Sequence, residues 1–182
     1  MLNFISDRLV RIEMGLAAVM AAAVTLLILL NIVSRSLGMA IYWVDELAIY
    51  AMVWTTFLAT SVALKRRQVV AVTLLVDLLG KRTQAWMQLL SDLMILTFAV
   101  AVLVLCWRWL DPVTFAGVGF DIKEFQGETF NFLYSEKTNT IGIKKIWPWL
   151  ILPIFSISLS LHALNNMLGS LKKAVFYKGA ME

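Results

Sequence analysis

Long runs without charged residues divide the chain into four apolar blocks. These runs cover residues 14–34, 47–64, 93–107 and 146–171. A helix that crosses the hydrocarbon core needs about 20 mostly apolar residues, and the third block reaches that length once the preceding residues, Asp92 included, are added. The pattern predicts an all-α membrane protein with one integral membrane domain over residues 1–182 and four transmembrane helices, at about 14–37, 43–64, 86–109 and 146–170.

Two segments outside these spans have their own patterns. The stretch from Gln68 to Arg82 is apolar, too short to span, and flanked by basic residues. We expect an interfacial amphipathic helix at about 69–80, the alternative being a loop followed by an early start of the third span. The external loop, about 110–145, is rich in aromatic residues. It is too short for an independent domain and is expected to lie on the membrane surface or against a partner.

Composition supports the membrane interpretation. The chain is 60% hydrophobic and 15% charged, with a mean hydropathy of +0.80, whereas soluble domains have about 45–50% apolar and roughly 25% charged residues. The N-terminal stretch is too long for a signal-peptide core and is interpreted as a retained span. The single cysteine, Cys106, excludes an internal disulfide. Membrane lipids are expected partners, and the net charge of +4 does not suggest a nucleic-acid partner.

The distribution of basic residues predicts the orientation. With four crossings, ten of the 16 Lys and Arg residues fall on the side of the two termini, and the remaining six fall on the other side. Loops that stay in the cytoplasm carry the excess of Lys and Arg. We therefore expect both termini to be cytoplasmic.

Residues for catalysis or cofactor binding are scarce, so neither an enzyme nor a cofactor is expected. His162 is the only histidine, which excludes a bis-histidine haem within the chain, and no His, Cys or carboxylate cluster has metal-site spacing. No Ser/His/Asp arrangement is expected to assemble in a four-span bundle. His162 itself is interpreted mainly as a packing or interfacial residue. Asp92 is either a functional intramembrane acid or a hydrated residue before a late start of the third span.

A polar and aromatic constellation surrounds the first external turn. Two of its residues lie at i, i+4 at the end of the first span, one carboxylate lies in the first turn of the second span, and four residues follow one face of that span. In chain order these are Asn31, Arg35, Trp43, Asp45, Glu46, Tyr50 and Trp54. We expect Arg35 to contact Glu46 or Asp45, and the face to meet another helix or a partner protein. The alternative is that Arg35 extends to the interface and the acids only cap the helix.

At these residues the chain resembles a known family, the small membrane subunit (DctQ-like) of tripartite ATP-independent periplasmic (TRAP) transporters. The segment LLNIVSRSLGMAIYWVDELAIYAMVWTTFLATSVALKRR, residues 29–67, carries the family's pattern in order and spacing at Asn31, Arg35, Trp43, Glu46, Leu47, Trp54, Phe57 and Leu58. The segment IGIKKIWPWLILPI, residues 141–154, is similar to the start of the family's last helix.

The resemblance implies a non-catalytic scaffold subunit in the bacterial inner membrane. Its expected partners are a large permease subunit, which binds substrate and sodium, and a periplasmic substrate-binding protein. The substrates it implies are acidic solutes, such as organic acids, dicarboxylates or sialic-acid-like compounds. The alternative is an autonomous small transporter or channel built as a homo-oligomer, although the spans offer few polar groups to line a pore.

Overall fold

The computed structural model describes residues 2–67 and 80–179, and most of these residues are helical. They form seven helices: α1 (Leu2–Ser36), α2 (Tyr42–Arg66), α3 (Lys81–Leu110), α4 (Pro112–Gly117), α5 (Ile122–Thr129), α6 (Ile146–Trp149) and α7 (Ile151–Gly179). The described ranges contain no strand beyond an isolated antiparallel bridge between Lys137 and Lys144. The predicted interfacial helix at 69–80 lies outside the described residues except for Gly80, which caps the start of α3.

Four helical segments are long and apolar enough to cross a membrane. They are Asn3–Ser36, Tyr42–Arg66, Thr83–Gly117 and Ile146–Val175. Each consists of an apolar stretch bounded by charged or turn-forming residues, as the hydropathy pattern predicted. The prediction of an all-α membrane protein with four transmembrane helices is therefore confirmed.

The first helix is much longer than a span requires. Its 35 residues extend about 52 Å at 1.5 Å per residue, whereas the hydrocarbon core is about 30 Å thick. The additional turns come from residues 2–13, which precede the predicted span. Ser6, Val10 and Glu13 lie at i, i+4 and i+7 in this part, on one helix face, and all three are buried. The N-terminal residues therefore belong to the packed bundle.

The four long helices pack in the order α1, α2, α7, α3. Helix α1 packs mainly along α2, α3 packs mainly along α7, and α2 contacts α7 between them. The buried apolar cluster of Ala99, Phe155, Leu159 and Ala163 fills the space between α3 and α7. From α2, the ring of Phe57 meets that of Phe155 edge-on, with centroids 4.9 Å apart. The centre of the bundle therefore lies along α7.

The loop between α3 and α6 folds onto one end of the bundle. Its centre is aromatic: Phe125 is fully buried, and the rings of Phe115 and Tyr134 stack with centroids 4.1 Å apart. The Tyr134 hydroxyl donates to the carbonyl of Leu110 at 2.6 Å. We call this end of the bundle the loop end, and the opposite end, where α1 begins and α7 finishes, the terminal end.

The short helix α5 begins at a capping residue in this loop. The side chain of Asp121 accepts hydrogen bonds from the backbone N–H groups of Lys123 and Glu124, at 2.8 and 3.1 Å. These N–H groups stabilise the charged carboxylate and hold the pKa of Asp121 below its usual range. The loop therefore has defined secondary structure of its own.

Candidate functional site

At the loop end, a three-residue polar contact joins α1 to α2. Arg35 Nη2 lies 2.7 Å from Asp45 Oδ2, and Arg35 Nε donates to Asn31 Oδ1 at 2.9 Å. Asn31 Nδ2 in turn donates to Asp45 Oδ1. Arg35 therefore contacts Asp45 and not Glu46, the other carboxylate that the sequence allowed as its partner. Both charged side chains are about half exposed, and exposed pairs contribute only about 0–1 kcal/mol. The contact therefore fixes the relative position of α1 and α2 more than it contributes to the stability of the fold.

The carboxylate of Glu46 instead holds the chain that leads into α6. Its Oε1 accepts from the backbone N–H of Asn139 at 2.8 Å. Its Oε2 accepts from the N–H groups of Thr140 and Ile141, at 2.7 and 3.0 Å, and from the Thr140 hydroxyl at 2.6 Å. The Tyr50 hydroxyl donates to Oε1 at 3.2 Å. We call residues 139–141 the strap, which Glu46 fastens to α2.

Of the two tryptophans on this face of α2, Trp54 contacts another part of the chain, whereas Trp43 is partly exposed. Trp54 Nε1 donates to the carbonyl of Pro148 in α6 at 2.8 Å, so Trp54 ties α2 to the start of the last span. Trp43, one turn before Glu46, is 45% exposed. Most of the polar and aromatic face of α2 is therefore covered by the segment from the strap to α6.

Replacing Glu46 by glutamine is expected to release the strap. The amide keeps one acceptor oxygen but presents an NH₂ group to backbone N–H donors. Limited proteolysis in micelles should then cleave residues 139–141 several-fold faster than in the wild type. Glu136→Gln is the matched control in the same loop: Glu136 binds Lys145 Nζ at 2.7 Å, a hydrogen bond that raises the pKa of Lys145. Equal cleavage rates in both variants would contradict the role of Glu46.

At the terminal end, Arg67 joins three helices. It follows α2 in the left-handed conformation, with φ of 55°, and its Nη2 donates to Asp92 Oδ2 at 2.7 Å and to Ser170 Oγ at 2.7 Å. It also donates to the carbonyl of Asn166 at 3.1 Å. The Ser170 hydroxyl donates to Asp92 at 2.6 Å. The side chain of Asp92 is 6% exposed. Asp92 is therefore a buried partner of Arg67, one of the ten basic residues on the side of the two termini.

A second cluster, deeper in the terminal half of the bundle, buries a carboxylate and the histidine. Glu13 Oε1 accepts from the hydroxyls of Ser61, at 2.9 Å, and Ser158. Glu13 Oε2 lies 3.1 Å from His162 Nε2, and His162 Nδ1 lies 2.7 Å from the Ser6 hydroxyl. All five residues are buried. We call these residues, Ser6, Glu13, Ser61, Ser158 and His162, the Glu13 cluster. It joins α1, α2 and α7.

This cluster corrects an expectation, because a serine, a histidine and a carboxylate do meet in the bundle as Ser6, His162 and Glu13. The arrangement is not that of a hydrolase. The three side chains are at most 4% exposed, so no substrate reaches the Ser6 hydroxyl. In addition, the hydroxyls of Ser61 and Ser158 already donate hydrogen bonds to the carboxylate of Glu13. The sequence contains a weak signal for this cluster. Ser6 and Glu13 lie at i, i+7 on the buried face of α1, and Ser158 and His162 lie at i, i+4 on α7.

The described residues hold no group of three or more His, Cys, Asp or Glu that could bind a metal ion.

Comparison with protein families matches residues 24–173 to the family described as "Tripartite ATP-independent periplasmic transporters, DctQ component". The chain belongs to the DctQ family. The resemblance seen in the sequence is thereby confirmed. A DctQ component is part of a transporter, so this chain is a subunit of a transport system and not an enzyme.

A curated relative supports the assignment. The DctQ chain is 24% identical over 133 residues to the isethionate TRAP transporter permease protein DctMQ of Oleidesulfovibrio alaskensis. The matched segment covers 73% of this chain but 18% of the relative. The DctQ chain therefore spans about a fifth of the length of that permease. The family match includes Arg67, Asp92 and His162, whereas Ser6 and Glu13 precede its first residue.

Proposed function

We propose that this chain is a scaffold subunit that packs against the large permease subunit of a TRAP transporter and supports it in the membrane. The observation that carries the proposal is the length of the DctMQ relative, in which the matching segment is 18% of one permease chain. Where the DctQ segment is a separate chain, the rest of the permease must be supplied by another chain. Two polypeptides then have to associate within the bilayer.

We propose that the outward face of α1 is the surface that meets the permease. Its most apolar 18-residue window has no buried residue. Small exposed residues follow this face at steps of three and four: Gly15, Ala18, Ala22 and Thr25. A Cβ atom placed on Gly15 would meet no other atom within 4 Å, so the fold of this chain does not require its small size. Small residues allow two membrane helices to approach closely, which fits a helix of the permease.

Enlarging a small residue on this face is expected to weaken the complex. Ala22→Leu should reduce the permease that copurifies with this chain by about tenfold, since an overpacked contact costs about 1–3 kcal/mol. Ala101→Leu is the matched control, because Ala101 is an exposed alanine on α3, the helix on the opposite flank. Equal permease recovery with Ala22→Leu and the wild type would refute α1 as the contact face. A loss with Ala101→Leu alone would place the contact on α3.

The orientation and the transport cycle complete the proposal. The loop end faces the periplasm and the termini face the cytoplasm of a bacterial inner membrane, because basic residues concentrate at the terminal end. The permease binds sodium and an acidic solute, and a periplasmic binding protein delivers the solute at the loop end. Isethionate, which appears in the name of the relative, is an organic anion, and this supports an acidic substrate.

A further inference from the structure

The Glu13 cluster lies within the apolar part of the bundle. At the terminal end, Asp7 Oδ1 lies 3.4 Å from Lys65 Nζ, and the side chain of Asp7 is 61% exposed. Glu13 follows Asp7 by six residues on the same helix, which places it about 9 Å deeper. Its partners on α2 and α7 belong to the charge-free runs 47–64 and 146–171. An ionisable group at such a position is expensive to bury and is a functional candidate by default.

Three polar side chains contact the carboxylate of Glu13. The hydroxyls of Ser61 and Ser158 both direct a proton to Oε1. The remaining partner, at Oε2, is His162 Nε2. Both oxygens of Glu13 therefore have a hydrogen-bonding partner, and His162 Nε2 is the partner at Oε2.

A carboxylate in this position requires a counter-charge. Two cations of this half of the bundle already have carboxylate partners: Lys65 contacts Asp7, and Arg67 contacts Asp92. The other packed partners of Glu13 on α2 and α7 are serine hydroxyls, which carry no charge. His162 can supply the charge, because a doubly protonated imidazole donates from Nε2 to Glu13 and from Nδ1 to the Ser6 hydroxyl 2.7 Å away.

We propose that Glu13 and His162 hold one buried proton as an imidazolium–carboxylate pair, and that this pair fastens the terminal half of α1 to α2 and α7. Three of the four buried residues of α1, namely Ser6, Val10 and Glu13, lie in this half. Loss of the proton leaves an uncompensated negative charge between three helices, and an unpaired buried charge is strongly destabilising. The Glu13–His162 pair is thus coupled to the docking of α1.

The single histidine of the chain allows a direct test. The full chain, labelled with ¹⁵N-histidine, carrying a histidine-free tag and placed in lipid nanodiscs, gives the ring signals of His162 alone. At neutral pH we expect both ring nitrogens to be protonated in the wild type and only one in Glu13→Gln. A neutral imidazole in the wild type overturns the proposal. So does an imidazolium that persists in Glu13→Gln, because the counter-ion would then lie elsewhere.

The coupling to α1 is tested by distance measurements between spin labels. In a Cys106→Ser background, labels replace the exposed residues Phe4 on α1 and Val175 on α7. His162→Gln leaves the Glu13 carboxylate without its counter-ion and should broaden the distance distribution, whereas Glu13→Gln/His162→Gln, which carries no charged group at the site, should not. An unchanged distribution in His162→Gln overturns the fastening role. Both tests use this chain alone, so their outcome is independent of permease binding.

Discussion

Asp92→Ala is expected to lower the free energy of unfolding by about 3 kcal/mol, at the lower end of the range for removing one partner of a buried ion pair. The variant leaves the guanidinium of Arg67 without its carboxylate, and it removes the acceptor of the Ser170 hydroxyl. The lower end of the range applies because the side chain of Arg67 is 31% exposed and partly hydrated. Denaturation by SDS in mixed micelles, followed by circular dichroism, measures the change.

The matched control for this prediction is Asp7→Ala. It removes the carboxylate of another ion pair at the same end of the bundle, but Asp7 is 61% exposed and its Lys65 partner lies 3.4 Å away. Exposed pairs contribute about 0–1 kcal/mol, so this variant should unfold almost as the wild type does. Equal destabilisation by Asp7→Ala and Asp92→Ala would show that burial of the Arg67 contact contributes nothing to stability.

Liposomes that contain this chain alone are expected to take up no acidic solute under a sodium gradient. Uptake should appear only when the large permease subunit and the periplasmic binding protein are both present. The physical reason is that the buried polar side chains described here, such as Asp92 and Glu13, already form hydrogen bonds within the chain. Such groups are not free to coordinate a solute or sodium. The measurement is the initial rate of labelled-solute uptake.

A complete system with the permease omitted is the control for leak and for binding to the liposomes. Saturable uptake by the chain alone would contradict the scaffold proposal and favour the runner-up, an autonomous homo-oligomeric transporter. Uptake by the permease and the binding protein without this chain would show that the chain is dispensable for transport. Ala22→Leu separates the two roles, because it is expected to reduce transport only as far as it reduces permease binding.

The sequence predicts the spans well because span formation depends on local composition. A charge-free run of sufficient length has few alternatives to a helix in lipid. The contact between Arg35 and a carboxylate of α2 was also within reach, since the turn between α1 and α2 is short and both residues lie next to it. Which carboxylate is used depends on the rotation of α2 about its axis. The hydropathy pattern does not determine that rotation, and the structure assigns Asp45 to Arg35 and Glu46 to the strap.

The Glu13 cluster was missed for a related reason. Glu13 directly precedes the charge-free run 14–34, so the hydropathy pattern predicts a first span that begins after it. In the structure α1 continues to Leu2, and its first turns pack against α7. Ser61, Ser158 and His162 each have a common explanation as a small or interfacial residue within a membrane helix. Only the packing of three helices, distant in sequence, brings them to one carboxylate.

The order of the helices along the chain has a consequence for biogenesis. Glu13 and Arg67 are made before their partners on α7, which are Ser158, His162, Ser170 and the carbonyl of Asn166. Until α7 leaves the ribosome, the first helices carry a carboxylate and a guanidinium that lack most of their final partners. Such groups are poorly tolerated in lipid. A chain truncated before α7 therefore keeps both charges incompletely paired.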